Sequence, residues 1–219
     1  MKESEKRFAR LGPIQRIARA WFTRADSAEF EVWQKQNPDF KDYGCGTLRL
    51  GVHIINYLPP GHYWGLDIER YLLEEGKKLV GTTLLPEKRP HLHVISPESV
   101  AAAAKHKPDF LVSTKVLIHV HPQELGEFFG NILTIVGASG RAVITEKWSS
   151  EETIQLSERS WAHALSHLHY LATSQNAELA VLKDKAWHPE AHGGKVRSGA
   201  LGLKRQAVTV SPASRADGT

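Results

Sequence analysis

The stretch Asp42-Tyr43-Gly44-Cys45-Gly46-Thr47 sits between two kinds of pattern. Before it, Phe40 to Tyr43 is short and strand-like; after it, Leu48, Leu50, Val52, Ile54, Ile55 and Leu58 recur at helical spacing. Glycines at a strand-to-helix turn let the backbone adopt positive φ and approach a ligand closely, and the helix start offers unpaired N–H donors. Pro59-Pro60-Gly61 ends the helix, and His62 to Ile68 reads as the next strand. That strand carries Asp67, 21 positions after Gly46. The spacing and place suit an acid that accepts hydrogen bonds from both ribose hydroxyls of an adenosine-containing ligand. A glycine turn alone is weak evidence, since it can serve only to shape a turn; turn, context and strand-terminal acid together point to a nucleotide site.

Working outward, the alternation continues. Residues 70–80 form a helix, His91 to Ile95 a third strand, and Pro97 to Lys105 a short alanine-rich helix. Asp109 to Thr114 is a short apolar run suited to a buried parallel strand. Pro122 to Val136 is an amphipathic helix, Arg141 to Trp148 a strand, and 150–175 a long helix. Glu178 to Asp184 and Gly202 to Val210 are two late strands without a helix between them, and 185–200 is a polar loop. Upstream, residues 1–37 are helical, with Leu11, Ile14, Ile17, Ala18 and Trp21 in one stripe. The expected fold is therefore α/β: a Rossmann-like, doubly wound, mostly parallel sheet with an antiparallel C-terminal strand, plus N-terminal helices. Residues 1–37 are expected to cap a single domain over 38–210, and 211–219 to be a disordered tail.

Here the chain resembles the class I S-adenosylmethionine-dependent methyltransferases. DYGCGT is similar to their first motif and YWGLDI to their second, with Asp67 as the ribose acid. DFLVSTKVLIHV is similar to their fourth strand and following loop, and GASGRAVITEKW to their fifth strand with its preceding turn. The resemblance covers roughly 38–210 and implies S-adenosylmethionine as cofactor. It places Asp42, Gly44 and Gly46 around the methionine end and Asp67 at the ribose, and the expected cofactor-binding set also takes in Cys45, Thr47, Ile68, Ser96 and Ser113. Two positions depart from the pattern: Leu48 stands where many members carry a further glycine, and the adenine-contacting acid after the third strand is not evident. Ser96 and Glu98 are the nearest candidates for that contact. The absence of a dinucleotide glycine pattern argues against a dehydrogenase.

A methyl on a sulfonium is already electrophilic, so such a site needs mainly an aligned nucleophile and excluded water. An oxygen or ammonium acceptor must also lose a proton. His119, in the loop after the fourth strand, and Glu146, near the end of the fifth, are the candidates for that base. Each has a plainer alternative: His119 packing under its loop or bonding to backbone, Glu146 pairing with Lys147 or an arginine. His121, beside Pro122, fits a capping or surface role. His163 and His167 are one helical turn apart in the expected long helix, but no glutamate or cysteine pattern accompanies them, and no metal is expected. His188 and His192 fall in the polar loop.

The composition agrees. Of 219 residues, 28 are basic and 24 acidic, a mild excess of +4 without blocks. This permits an anionic substrate and does not by itself argue for nucleic acid. A single cysteine, the absence of an 18-residue apolar run and the charged start MKESEKRFAR all suit a cytoplasmic protein without a membrane span. The expected partner is a small-molecule methyl acceptor (a sugar, lipid precursor or secondary metabolite), methylated on oxygen or nitrogen. Two alternatives are a nucleic-acid or protein methyltransferase docking through the basic N-terminal helix, and an inactive cofactor-binding partner protein. No Asn/Asp-Pro-Pro-Tyr/Phe motif supports nucleic acid, and oligomeric state is not read from the sequence.

Overall fold

A computed structural model describes residues 39–106, 110–138, 140–186 and 193–206. The expected helices at 1–37, the tail at 211–219, and His188 and His192 lie outside the described residues. In chain order the elements are β1 (Phe40–Tyr43), α1 (Gly51–Tyr57), β2 (Tyr63–Asp67), α2 (Arg70–Lys88), β3 (His91–Val94) and α3 (Pro97–Lys105). Then follow β4 (Phe110–Thr114), two short 3-10 turns (Leu117–His119 and Pro122–Glu124), α4 (Leu125–Val136) and β5 (Arg141–Ser149). The chain ends with β6 (Ile154–Ser157), β7 (Ser160–Ala164), α5 (Leu165–Ser174), β8 (Ala177–Ala186) and β9 (Val196–Arg205).

Strands β3-β2-β1-β4-β5 are hydrogen-bonded in that order and run parallel. Burial on both faces explains why β1 and β2 are wholly buried and β4 reads as an apolar run. β9 lies antiparallel along the whole of β5, and β8 lies antiparallel on β9. One face of the sheet buries Trp64, Leu66, Leu111 and Ile144 under Phe128, Phe129 and Ile132 of α4. The opposite face buries Phe40, Tyr63, Val112 and Val143 under Ile54, Ile55 and Leu58, from α1 and the residue after it. Ser96 starts α3: its hydroxyl accepts from Ser99 N–H at 3.2 Å, and the Ser99 hydroxyl accepts from Ser96 N–H at 2.9 Å. α2 continues past its expected end but breaks at Gly81, where φ is 83°. Among the described residues no helix is long and apolar enough to cross a membrane.

Two expectations need correction. The long helix at 150–175 is instead the hairpin β6–β7 followed by the short α5. The cause lies in β5, which pairs with β4 only as far as Thr145 and then runs on to Ser149. Its bare edge needs partners, and β7 supplies them in the pairs Trp148 with His163 and Ser149 with Ala164. Ile154 to Ser157 shows the matching two-residue alternation of half-buried and exposed side chains. The last strand begins at Val196 rather than Gly202, so residues 196–200 of the expected polar loop are strand, paired with β5 on one side and β8 on the other.

Candidate active site at the ends of β1, β2, β4 and β5

The chain leaves β1 through a turn that two backbone contacts tie to β2: Gly44 N–H and Cys45 N–H both donate to the Leu66 carbonyl, at 2.7 and 3.0 Å. Gly44 has φ +79°, and the Val116 side chain fills the space a Cβ would need. Gly46 has φ +53°, and above its Cα there is open space. Its N–H donates to Asp67 Oδ2 at 2.7 Å, while Glu69 N–H donates to Asp67 Oδ1 at 3.0 Å. The structure thus brings the glycine turn and the strand-terminal acid into direct contact. Each Asp67 oxygen has one donor and keeps a further lone pair, so the carboxylate is oriented without being saturated. Ile68, directly after it, is 73% exposed, a large apolar side chain presented beside an acid.

The other residues of this group lie deeper. Asp42 is buried and accepts from Tyr63 Oη at 2.8 Å. Burial pushes its pKa up to about 7; the Tyr63 hydroxyl opposes the shift and the Asp67 charge adds to it. Cys45 is buried, and burial beside Asp42 and Asp67 raises its thiol pKa, so it is no thiolate nucleophile. Thr47 is half-buried in the turn. Leu48 has φ +57° and is fully buried; a Cβ on Gly51 or on Gly76 would press on its side chain. Ser96 uses its hydroxyl in the α3 cap, and Ser113 is fully buried with no hydrogen-bond partner on Oγ among the described residues. Glu98 is exposed, and its own N–H and then the Ser96 hydroxyl lower its pKa. A cleft of about 610 Å³ runs along edge strand β3, lined by Arg70, Leu73, Lys77, Leu92, Val94 and Ser96 among others. Val94 of its lining pairs with Asp67 across β2 and β3.

The second half of the site gathers around the loop after β4. Glu146, on the α4 side of β5, is 5% exposed; its Oε1 accepts Lys147 N–H at 2.9 Å and Oε2 has no hydrogen bond among the described residues. Burial raises its pKa, while the N–H groups of Ile118 and Lys147 and the nearby His119 ring pull it back. His119 is exposed, with Nδ1 at 3.1 Å from the Arg159 carbonyl. His121 caps the second 3-10 turn, its Nδ1 accepting from Gln123 N–H at 3.3 Å. His163 is not on a helix with His167; it is a buried β7 residue with Nε2 at 3.1 Å from the Leu117 carbonyl. Burial lowers its pKa against the pull of the Leu117 and Val120 carbonyls. Among the described residues no three His, Cys, Asp or Glu side chains converge as a metal site. Sequence reasoning placed His163 on a helix face with His167 and missed Arg159 and Trp161 as parts of this site; the missed signal was the 154–157 alternation.

No family model and no curated protein matches the sequence. Solved structures do match. The YcgJ protein of Bacillus subtilis superposes with a TM-score of 0.59 at 10% identity, over 83% of this chain and 100% of its own. The fold is that of the class I S-adenosylmethionine-dependent methyltransferases. An O-methyltransferase from a trans-AT polyketide synthase multienzyme of Brevibacillus brevis, in complex with S-adenosylhomocysteine, gives 0.54 at 13% identity, covering 91% of this chain and 79% of that one. Magnesium protoporphyrin IX methyltransferase of Synechocystis, with bound S-adenosylhomocysteine, gives 0.50 at 16% identity, covering 93% and 94%. In this methyltransferase fold ligands bind beyond the carboxyl ends of the strands, where Gly44, Gly46 and Asp67 stand.

Proposed function

We propose that this chain transfers a methyl group from S-adenosylmethionine to an oxygen or nitrogen of a small molecule. The observation that carries it is the contact between Gly46 N–H and Asp67 Oδ2 at 2.7 Å, with open space above Gly46 and Ile68 exposed beside it. These residues fit the cofactor: Asp67 has lone pairs to accept from ribose hydroxyls, Ile68 offers an apolar face to adenine, and Gly46 lets the backbone approach. When bound, S-adenosylmethionine supplies an electrophilic methyl on sulfur.

The chain's part is to bind, align and deprotonate. His119 is exposed at the end of β4's loop, and its ring takes the proton that an oxygen acceptor releases as its bond to the methyl forms. Glu146 beside it, when ionised, stabilises the resulting imidazolium by its charge. The Brevibacillus O-methyltransferase and the magnesium protoporphyrin IX methyltransferase share the fold, which supports a small-molecule acceptor. The work belongs to the cytoplasm in this reading.

Calorimetric titration with S-adenosylmethionine and S-adenosylhomocysteine tests the proposal. Micromolar binding of at least one is expected, weakened tenfold or more in Asp67→Ala, because the lost ribose hydrogen bonds are worth about 1.5–3 kcal/mol. Absence of binding by folded protein free of copurified cofactor overturns it.

A further inference from the structure

The β6–β7 hairpin does more than cover the edge of β5. Three alternate residues on it meet three residues of the loop after β4. The Arg159 carbonyl lies 3.1 Å from His119 Nδ1. The Trp161 ring meets His121 edge-on, with centroids 5.3 Å apart. His163 Nε2 lies 3.1 Å from the Leu117 carbonyl. The hairpin is itself anchored, since Ala164 N–H donates to Thr153 Oγ1 at 3.0 Å and β7 pairs with β5. The loop is thus clasped along its length by a segment about forty residues further on in the chain.

A carbonyl oxygen only accepts, so each imidazole nitrogen facing one must carry the proton. At His163 this puts the proton on Nε2. At His119 it puts the proton on Nδ1 and leaves the lone pair on Nε2. We infer that the hairpin is a positioning element that holds neutral His119 in its Nδ1–H form, with Nε2 free as the proton acceptor. The logic is that of any oriented imidazole base: the hydrogen bond on one nitrogen decides what the other can do. His163 acts through Leu117, two residues before His119 on the same 3-10 turn. This inference rests on the methyltransferase reading for the use made of Nε2, but the protonation pattern itself does not.

Long-range ¹H–¹⁵N spectra of histidine side chains in the full-length protein read the tautomer directly, at a pH where the ring is neutral. His119→Gln identifies the signal by its loss. The expected result is a protonated Nδ1 and an unprotonated Nε2, with widely separated ¹⁵N shifts, present with or without S-adenosylhomocysteine. In His163→Leu the separation is expected to shrink toward the averaged, mainly Nε2–H pattern of a free imidazole, because the loop loses its buried tie. An Nε2–H or freely averaged His119 in the wild type overturns the inference, even if S-adenosylhomocysteine binds. Failure of S-adenosylhomocysteine to bind, with the Nδ1–H form intact, removes the methyltransferase reading and leaves the clasp standing.

Discussion

Asp42→Asn is the substitution through which the buried centre of the site reports on itself. Asp42 is fully enclosed beneath the glycine turn, and burial moves its pKa from 3.8 to about 7. A carboxyl whose folded pKa is raised takes up a proton on folding. Stability therefore falls as pH rises from 3.8 toward 7, and stays flat above that. At about 1.4 kcal/mol per pKa unit, roughly 4 kcal/mol is lost by pH 8 and somewhat under 2 kcal/mol by pH 5. Asparagine keeps an acceptor for Tyr63 Oη and never ionises. The stability difference between Asp42→Asn and wild type is thus expected to shift in the variant's favour by about 2–3 kcal/mol between pH 5 and pH 8. Burying the extra amide N–H groups offsets this by about 1–3 kcal/mol at every pH, so the slope is the decisive quantity. Urea unfolding of both proteins at the two pH values, at one ionic strength, measures it. Parallel pH dependence of the two proteins, or a variant that loses ground as pH rises, refutes the picture of a desolvated carboxyl.

Two further outcomes follow from the turn. Leu48→Gly installs a glycine at the turn and relieves a leucine at φ +57°, worth about 1–2 kcal/mol. It also empties a fully buried site that Gly51 and Gly76 leave open for that side chain, at about 2–5 kcal/mol, so urea unfolding should show a net loss of about 1–3 kcal/mol. A more stable Leu48→Gly would mean that strain outweighs packing there. Ile68→Ser should leave thermal stability within about 0.5 kcal/mol, because the side chain is 73% exposed, while weakening S-adenosylhomocysteine roughly three- to tenfold in calorimetry. Unchanged affinity would show that Ile68 does not face the adenine.

How much of this was legible in the sequence depends on where each element finds its partners. β1, the glycine turn and β2 were readable because the signals are local: a buried apolar strand, two glycines with positive φ, and an acid one strand along. The departure at Leu48 was visible as a missing glycine, but its explanation was not. Gly76 is far along the chain, and only packing reveals that it makes room for the leucine. The expected helix at 150–175 failed for the opposite reason. Its apolar positions fit a helix near Leu165, Leu168 and Leu171, and that part is α5. The preceding residues became strands because β5 outruns β4, a fact of tertiary register whose local mark is no more than the short 154–157 alternation.

The two halves of the candidate site are therefore encoded differently. The cofactor half is built from near-consecutive residues whose types are demanded by backbone geometry and by the need for one oriented carboxylate. In the proposed reading the acceptor half is assembled from His119, Glu146 and the turn at Arg159, which come from three segments brought together by β5, its overhang and the contacts of the hairpin with the loop. Taken singly, each of these is an ordinary residue: an exposed histidine, a buried glutamate, a backbone carbonyl. Their chemistry arises from the contacts, since the carbonyl decides which nitrogen of His119 is free and the burial of Glu146 decides how strongly it favours a charged neighbour. A substrate preference written into such contacts changes when the hairpin changes, while the glycine turn and Asp67 stay as they are.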